Sequence, residues 1–211
     1  MQDLRRDYRS GELLENNITE NPFDQFQGWF KEALNGKILE PNAMTLATCY
    51  HNKPSARIVL LKNVDSRGFV FFTNYHSRKG NELENNPHAA LLFFWDALER
   101  QVRIEGSVEQ IDRHSTEVYF NSRPKDSRIG ALVSPQSTII ESREVLENKM
   151  KTLSEKYQQE ENIPVPPYWG GYRLIPNYFE FWQGRSSRLH DRIVYKHIAE
   201  NNSWKIYRLA P

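Results

Sequence analysis

The alternation of apolar and polar positions from residue 44 onward predicts a chain dominated by β-strands. Short segments rich in β-branched and aromatic residues are separated by polar turns, as is typical of strands that bury one face. The predicted strands are Met44–Tyr50, Ala56–Val64, Gly68–Tyr75, Ala89–Trp95, Arg100–Ile111, Tyr172–Phe181, Arg192–Ile198 and Trp204–Leu209. Few helices separate them, and His51-Asn52-Lys53-Pro54 suits a hairpin turn. The pattern therefore favours an antiparallel barrel over a parallel α/β sheet.

Four other segments are predicted to be helical. The predicted helices are roughly 22–35, Ser77–Asn86, His114–Asn121 and Ser142–Gln159. Residues 1–20 are polar and charged, which predicts a flexible N-terminal arm. Residues 21–211 contain no repeat and no clear linker, so they are expected to form a single domain.

Composition narrows the classes of function. The chain has 211 residues, of which 38% are hydrophobic and 12% aromatic, and this content favours a packed fold over disorder. The net charge is +1, so no overall field attracts nucleic acid or membrane, and any anion site must be local. Cys49 is the only cysteine, which excludes an internal disulfide, and its apolar surroundings favour a core role over a nucleophile. Without a membrane-length apolar run or a secretory signal pattern, we expect a cytoplasmic protein.

Basic residues gather around two predicted elements. Arg57 and Lys62 flank an apolar strand segment, where they could serve opposite ends of a long ligand or simply reach solvent. Ser77 is a suitable helix N-cap, and Arg78 and Lys79 follow in the first turn, where their charge opposes the helix dipole. A bound phosphate would remove that conflict.

Further candidates lie in the middle of the chain. Tyr119, Arg123 and Ser127 place a phenol, a guanidinium and a hydroxyl near a helix end, where they could bind phosphate. A surface turn explains these three nearly as well. Gln101 could hydrogen-bond a ligand edge, although its alternating strand also suits a half-exposed sheet.

Arg188, His190 and Arg192 occupy every second position of one segment. If this segment is extended, the three side chains share a face and suit an elongated anion, with Leu189 and Asp191 facing away. The other interpretation is a charged edge strand that resists aggregation. The histidines show no metal-ligand spacing, and no Walker motif, dinucleotide-binding glycine pattern or nucleophile elbow occurs. Several separate anion sites on a barrel suggest a phosphorylated cofactor and a phosphorylated substrate.

The order of these motifs resembles the pyridoxine/pyridoxamine 5′-phosphate oxidase family over nearly the whole chain. The matching motifs are Arg57–Lys62, Thr73-Asn74, Ser77–Lys79, Glu99–Val102, Tyr119–Pro124, Trp169–Gly171, Phe181–Gly184, Arg188–Arg192 and Arg208–Pro211. The resemblance implies a mainly β (α+β) fold, a split β-barrel of antiparallel strands with peripheral helices. It also implies a homodimer with FMN at the subunit interface.

The resemblance further implies roles for individual residues. The implied FMN contacts are Arg57, Lys62, Phe72, Thr73, Arg78, Lys79, Gln101, Gln136, Ser137, Trp182 and Arg192. The implied substrate contacts are Arg5, Tyr8, Lys62, Tyr119, Arg123, Ser127, Arg188 and His190. Of these, Arg188 and His190 are the implied catalytic pair on the pyridine side of the substrate, and no metal is implied.

The implied reaction is oxidation of pyridoxine 5′-phosphate and pyridoxamine 5′-phosphate to pyridoxal 5′-phosphate. A hydride equivalent would pass from C4′ to FMN, and O2 would reoxidise the flavin with release of hydrogen peroxide. The alternative is a non-catalytic split-barrel protein that binds a flavin or pyridoxal phosphate.

Overall fold

The computed structural model describes residues 7–160 and 162–211. Within these ranges the strands are β1 (Ala43–Tyr50), β2 (Lys53–Leu60), β3 (Asn63–Asp65), β4 (Gly68–Asn74), β5 (His88–Trp95), β6 (Arg100–Gln110), β7 (Trp169–Gln183), β8 (Asp191–Ile198) and β9 (Ser203–Arg208). The α-helices there are α1 (Pro22–Asn35), α2 (Arg78–Asn85), α3 (Arg113–Ser122), α4 (Lys125–Val133) and α5 (Arg143–Lys156). Short 3-10 turns lie at Glu15–Asn17, Asp96–Leu98 and Ser186–Arg188.

All nine described strands join one antiparallel sheet. Its main path runs β2-β1-β5-β6-β7-β4-β3, and β8 and β9 extend it from β7. The long strand β7 pairs with β6, β4 and β8, so it is the central element of the sheet. The N–H of Lys62 donates to the carbonyl of Val70 at 2.8 Å, which brings the chain after β2 back to β4. This architecture confirms the predicted antiparallel split β-barrel with peripheral helices.

The barrel interior is filled by aromatic and aliphatic side chains, and α1 closes one side of it. Leu46, Leu91 and Ile104 are fully buried on neighbouring strands. Phe26 of α1 is also fully buried, and its ring centroid lies 4.9 Å from that of Phe69. Burying each such side chain contributes about 1.5–3 kcal/mol, so docking of α1 is a substantial part of core formation. The predicted helix at 22–35 is confirmed.

A second, smaller core joins α3, α4 and α5 to the start of β7. Its buried members are Phe120, Ile129, Val133, Tyr157, Ile163 and Trp169. This core fixes the positions of α3 and α4 beside β4, which matters for the site described below. None of the described helices is long and apolar enough to cross a membrane.

The prediction of one continuous strand at 56–64 is wrong, because the segment is divided between β2 and β3. Strand β2 ends at Leu60. The N–H of Leu61 still donates to the carbonyl of Asn42, in register with β1, but the N–H of Lys62 donates instead to Val70 of β4. Lys62 therefore leaves the β2 ladder, so the prediction that Arg57 and Lys62 flank one continuous strand segment is wrong.

Helix α4 was not predicted, because the pattern was taken to end at Pro124. Pro124 instead occupies the N-cap position, where its missing N–H costs nothing. Ile129 and Val133, four residues apart, are the buried contacts of α4. The hairpin turn is also shorter than expected, with only His51 and Asn52 between the strands and both at positive φ.

Candidate functional site

Eight of the predicted site residues line one cavity of about 680 Å³. They are Lys62, Phe72, Thr73, Lys79, Tyr119, Arg123, Ser127 and Gln136, and we refer to them as the cavity group. The cavity lies between the outer side of β2 and β4 and the helices α3 and α4. The structure therefore brings together residues that are up to 74 positions apart in the sequence.

One wall of this cavity is flat and aromatic. The rings of Phe72 and Tyr119 stack with centroids 3.9 Å apart and an interplanar angle of 23°. Trp169 lies nearly parallel to Phe72 at 5.4 Å and also lines the cavity. Trp169 was quoted in the sequence motif but was given no role there. Such a wall suits a planar ring system.

Arg123 provides an unsatisfied cationic group in the same cavity. Its Nη1 atom is buried without a hydrogen-bond partner, and its guanidinium lies 4.7 Å from the ring centroid of Trp169. Burial lowers the pKa of Arg123, as expected for a cation removed from water without a counter-charge. Ser127 lies in the first turn of α4, where backbone N–H groups also favour an anion. These features fit a phosphate ligand.

Lys79 provides a second cationic group in the cavity. Its Nζ donates hydrogen bonds to Gln136 Oε1 at 2.8 Å, Thr73 Oγ1 at 3.1 Å and Ser77 Oγ at 3.3 Å. Burial and the nearby positive charge of Arg57 lower the pKa of Lys79 to about 8. Ser77 caps α2 by accepting from the N–H of Gly80, so the predicted N-cap is confirmed. An anion here would relieve the crowding of positive charge.

Arg57, Arg78 and Ser137 lie next to the cavity group but outside the 680 Å³ cavity. Arg78 and Ser137 line an adjacent cavity of about 580 Å³. Arg57 and Arg78 both donate to the buried carboxylate of Glu82, at 2.9 and 2.8 Å. Glu82 was not predicted, since nothing in its local sequence indicates that two arginines converge on it.

Three further predicted residues, Gln101, Trp182 and Arg192, lie on the sheet near the ends of β6, β7 and β8. Gln101 is paired with Trp182, and Trp182 is paired with Arg192, so the three form a row across neighbouring strands. Arg192 Nε donates to Glu180 at 2.8 Å. Burial alone would raise the pKa of Glu180, but hydrogen bonds from Arg192 and Arg103 lower it. The ionised carboxylate thus holds Arg192 in the row.

Tyr8 and His190 complete this second set. The ring centroids of Trp182 and His190 are 4.7 Å apart, and Tyr8 lies 5.7 and 5.6 Å from them. We refer to Tyr8, Gln101, Trp182, Arg188, His190 and Arg192 as the sheet-face group. None of its members lines the 680 or the 580 Å³ cavity.

The expectation that residues 188–192 form one extended row is wrong. Ser186–Arg188 is a 3-10 turn, Ser187 and Arg188 have φ of 56° and 62°, and β8 begins only at Asp191. The side chain of Leu189 is 69% exposed, so it does not pack into the core. Asp191 accepts hydrogen bonds from the N–H of Leu13 and from Arg208.

The turn sets the chemistry of His190. The N–H of Arg185 donates to His190 Nδ1 at 3.1 Å, which assigns the proton of a neutral imidazole to Nε2. Burial and the positive charge of Arg188 lower the pKa of His190, so the neutral form predominates near pH 7. His190 is therefore prepared to donate a hydrogen bond through Nε2.

The N-terminal segment from Asp7 to Leu13 packs against the same region. Glu99 Oε2 accepts from the N–H groups of Arg9 and Ser10 at 2.7 and 2.8 Å. A Cβ on Gly184 would lie 2.7 Å from Cγ of Tyr8, so glycine permits this close approach. Arg5, the other substrate contact expected in the arm, lies outside the described residues.

The donor set fits FMN on two counts. A flat aromatic wall suits a planar ring, and the Lys79 position beside Ser77 and Thr73 suits a phosphate. The buried, unpartnered N–H of Arg123 offers a further anion position. Together with the split barrel, these features define the class of FMN-binding split-barrel flavoproteins.

Comparison with known proteins identifies the family. Residues 30–157 match the family model of pyridoxamine 5′-phosphate oxidase, and residues 169–211 match the pyridoxine 5′-phosphate oxidase C-terminal dimerisation region. The chain belongs to the pyridoxine/pyridoxamine 5′-phosphate oxidase family, whose cofactor is FMN. The match to the dimerisation region supports a homodimer.

Individual relatives agree with this assignment. Pyridoxine/pyridoxamine 5′-phosphate oxidases from Gloeothece citriformis and Paraburkholderia phymatum are each 57% identical over 210 residues, covering 99% of this chain and 97% and 98% of theirs. PhzG from Burkholderia lata, crystallised with tetrahydrophenazine-1-carboxylic acid, superposes with a TM-score of 0.88 at 29% identity, over 96% of this chain and 100% of that one. An FMN-binding protein from Nostoc punctiforme shares the fold, with a TM-score of 0.69 at 16% identity over 88% of this chain and 97% of that one.

Proposed function

We propose that this protein oxidises pyridoxine 5′-phosphate and pyridoxamine 5′-phosphate to pyridoxal 5′-phosphate. The observation that carries the proposal is the buried, unpartnered N–H of Arg123 beside a flat aromatic wall, in a cavity that also contains the Lys79 position. Two anion positions in one region suit a phosphorylated cofactor together with a phosphorylated substrate. The high identity to named oxidases supports the same reaction.

The residues of this chain would bind, orient and polarise the reactants. When bound, FMN would accept the hydride equivalent from C4′ of the substrate and be reoxidised by O2, with release of hydrogen peroxide. Arg123, Ser127 and Tyr119 would bind the substrate phosphate, and Lys62 would contact both substrate and cofactor. His190 would donate from Nε2 to the pyridine side of the substrate, next to the positive charge of Arg188.

We further propose that each site combines the cavity group of one subunit with the sheet-face group of its partner. Thr73 pairs with Gly170 near the start of β7, whereas Trp182 lies near the end of that strand. Gly170 and Trp182 are twelve positions apart, which is roughly 35–40 Å along β7. A mononucleotide is too short to contact Thr73 and Trp182 of the same subunit. We therefore propose that these two contacts come from different subunits, in agreement with the match to the dimerisation region.

The N-terminal segment would cover the bound substrate. Tyr8 already packs on Trp182 and His190, and the chain that follows is held by Glu99 and Asp191. Arg5 and Tyr8 would therefore close the substrate side of the composite site and exclude water from it.

An assay with matched substrates tests the proposal. Purified protein supplied with FMN should convert pyridoxine 5′-phosphate to pyridoxal 5′-phosphate with one hydrogen peroxide formed per product. Unphosphorylated pyridoxine should react far more slowly, because it cannot use Arg123. Binding of FMN and substrate without turnover would favour the alternative, a non-catalytic flavin- or pyridoxal phosphate-binding protein.

A variant separates the substrate role from the cofactor role. Arg188→Ala should lower turnover and substrate affinity while FMN remains bound, because Arg188 adjoins His190 and lines neither cavity. Loss of the flavin absorbance from the purified variant would contradict this assignment.

A further inference from the structure

Glu82 is a buried carboxylate at the centre of a network that connects three elements. It belongs to α2 and is 6% exposed. Its oxygens accept hydrogen bonds from Thr48 Oγ1 at 2.6 Å and from Ser55 Oγ at 2.8 and 2.7 Å. They also accept from Arg57 Nη2 at 2.9 Å and from Arg78 Nε at 2.8 Å. Donors from β1, β2 and α2 thus share one acceptor group.

The network keeps Glu82 ionised. Burial alone would raise its pKa, but the hydrogen bonds from Thr48, Ser55, Arg78 and Arg57 lower it to about 2. The carboxylate is therefore a fixed negative charge at any physiological pH. A buried carboxylate with this many donors is strongly oriented.

The two arginines are held by different nitrogen atoms. Arg57 uses Nη2 for Glu82 and Ser55, and it uses Nη1 for Thr48 and the carbonyl of Leu46. The described hydrogen bond of Arg78 uses Nε, which leaves its two terminal nitrogens available beside the 580 Å³ cavity. An arginine loses rotamer freedom when it binds a phosphate, and this loss is smaller when the side chain is already fixed.

We propose that Glu82 is a positioning residue that holds Arg57 and Arg78 in place for the phosphate of FMN. The inference rests on the proposed function and on the FMN contacts that the family resemblance implies for both arginines. The direction of the change in FMN affinity is informative, because a carboxylate close to a phosphate repels the phosphate. Neutralising Glu82 would tighten phosphate binding if charge alone mattered, and would weaken it if positioning dominates.

The test is a titration of apoprotein with FMN and with riboflavin, which has the same ring system without the phosphate. Quenching of flavin fluorescence gives both dissociation constants for the wild type, Glu82→Gln and Glu84→Gln. Glu84 is the matched control, because it is exposed on the same helix and its substitution removes the same charge. We expect Glu82→Gln to weaken FMN about tenfold, or about 1.4 kcal/mol. Its riboflavin affinity, and both affinities of Glu84→Gln, should stay within about twofold of the wild type, well below that tenfold effect.

The outcomes separate the inference from the proposed function. Unchanged or tighter FMN binding by Glu82→Gln, or equal weakening of FMN and riboflavin, would overturn the positioning role. If the wild type itself bound FMN no better than riboflavin, the proposed phosphate site would be wrong instead. Should Glu82→Gln fail to fold, Ser55→Ala removes one contact of Glu82 and of Arg57 and should still weaken FMN selectively. Unaltered FMN binding by folded Ser55→Ala would then count against the inference.

Discussion

Arg123 combines burial, positive charge and an unused donor, and this combination is costly unless a ligand satisfies it. Charged groups are normally buried with a partner, so the unpartnered buried guanidinium N–H supports the proposal that an anion binds here. The guanidinium lies over the ring of Trp169, which itself stacks against Phe72, and this packing keeps the guanidinium in a defined place. At the scale of single residues, the site is therefore prepared for its ligand before the ligand arrives.

Arg123→Ala should raise the KM for pyridoxine 5′-phosphate by roughly 10- to 100-fold. A hydrogen bond to a charged group contributes about 1.5–3 kcal/mol, which corresponds to that range. FMN affinity should not change, since Arg123 is assigned to the substrate phosphate. Steady-state kinetics and flavin titration measure the two effects. Arg143→Ala, at an arginine that is 86% exposed, is the control and should alter neither.

The affinity of the apoprotein for FMN should fall as the pH rises from 7 to 9.5. The pKa of Lys79 is about 8, so its ammonium loses its proton, and the phosphate loses a positive partner, across this range. The phosphate itself remains a dianion there, because its second pKa is about 6. Fluorescence titrations at several pH values check the slope. Lys79→Arg should remove most of it, and an equal slope in that variant would rule out Lys79 as its source.

At the scale of elements, the sequence predicted those helices and strands whose positions depend on local residue patterns. The aromatic stripe and the Asn21-Pro22 start located α1, and alternation located most of the strands. The positive φ at Ser187 and Arg188 could not be read from the sequence, because these residue types do not require it.

Candidate residues were likewise easier to identify than their arrangement. Every described member of the predicted site lies in or beside one of two regions, but the division between them depends on sheet register. The Glu82 network was missed because its partners lie up to 34 positions away and meet only in the fold. Helix α4 was missed because its buried residues contact α3 and α5, a tertiary effect that overrides a weak local pattern.

Gly184→Ala should displace the N-terminal segment from β7. The new methyl group would lie 2.7 Å from Cγ of Tyr8, closer than real contacts allow. We expect faster hydrogen exchange at the amides of Arg9 and Ser10 and a several-fold higher substrate KM, with FMN still bound. Gly28→Ala, in open space on α1, is the matched control. Unchanged exchange at Arg9 and Ser10 in Gly184→Ala would show that the segment does not depend on this contact.

At the scale of the whole molecule, the proposed site needs both residue groups. The cavity group would supply phosphate ligands and an aromatic wall, whereas the sheet-face group would supply Trp182, His190 and two arginines. Neither group alone provides a complete environment for a flavin and a substrate. A dimer with two-fold symmetry would form two identical sites from the two pairs of groups.

Dissociation of the dimer should therefore release FMN. Sedimentation velocity with detection at a flavin wavelength, over a dilution series, should show the flavin signal leaving the protein as monomer forms. A monomer that sediments with bound flavin would be inconsistent with a shared site.

Complementation between two impaired variants, assayed well below the KM of either variant, tests the composite site most directly. Arg123→Ala impairs the cavity group and Arg188→Ala impairs the sheet-face group, so each homodimer carries two defective sites. A mixed dimer has one site with both defects and one intact site. After random subunit exchange, about half of the dimers are mixed, and the mixture should recover about a quarter of wild-type activity. If the mixture remains as impaired as the separate variants although mixed dimers have formed, both groups act within one chain and the proposed site shared between subunits is wrong.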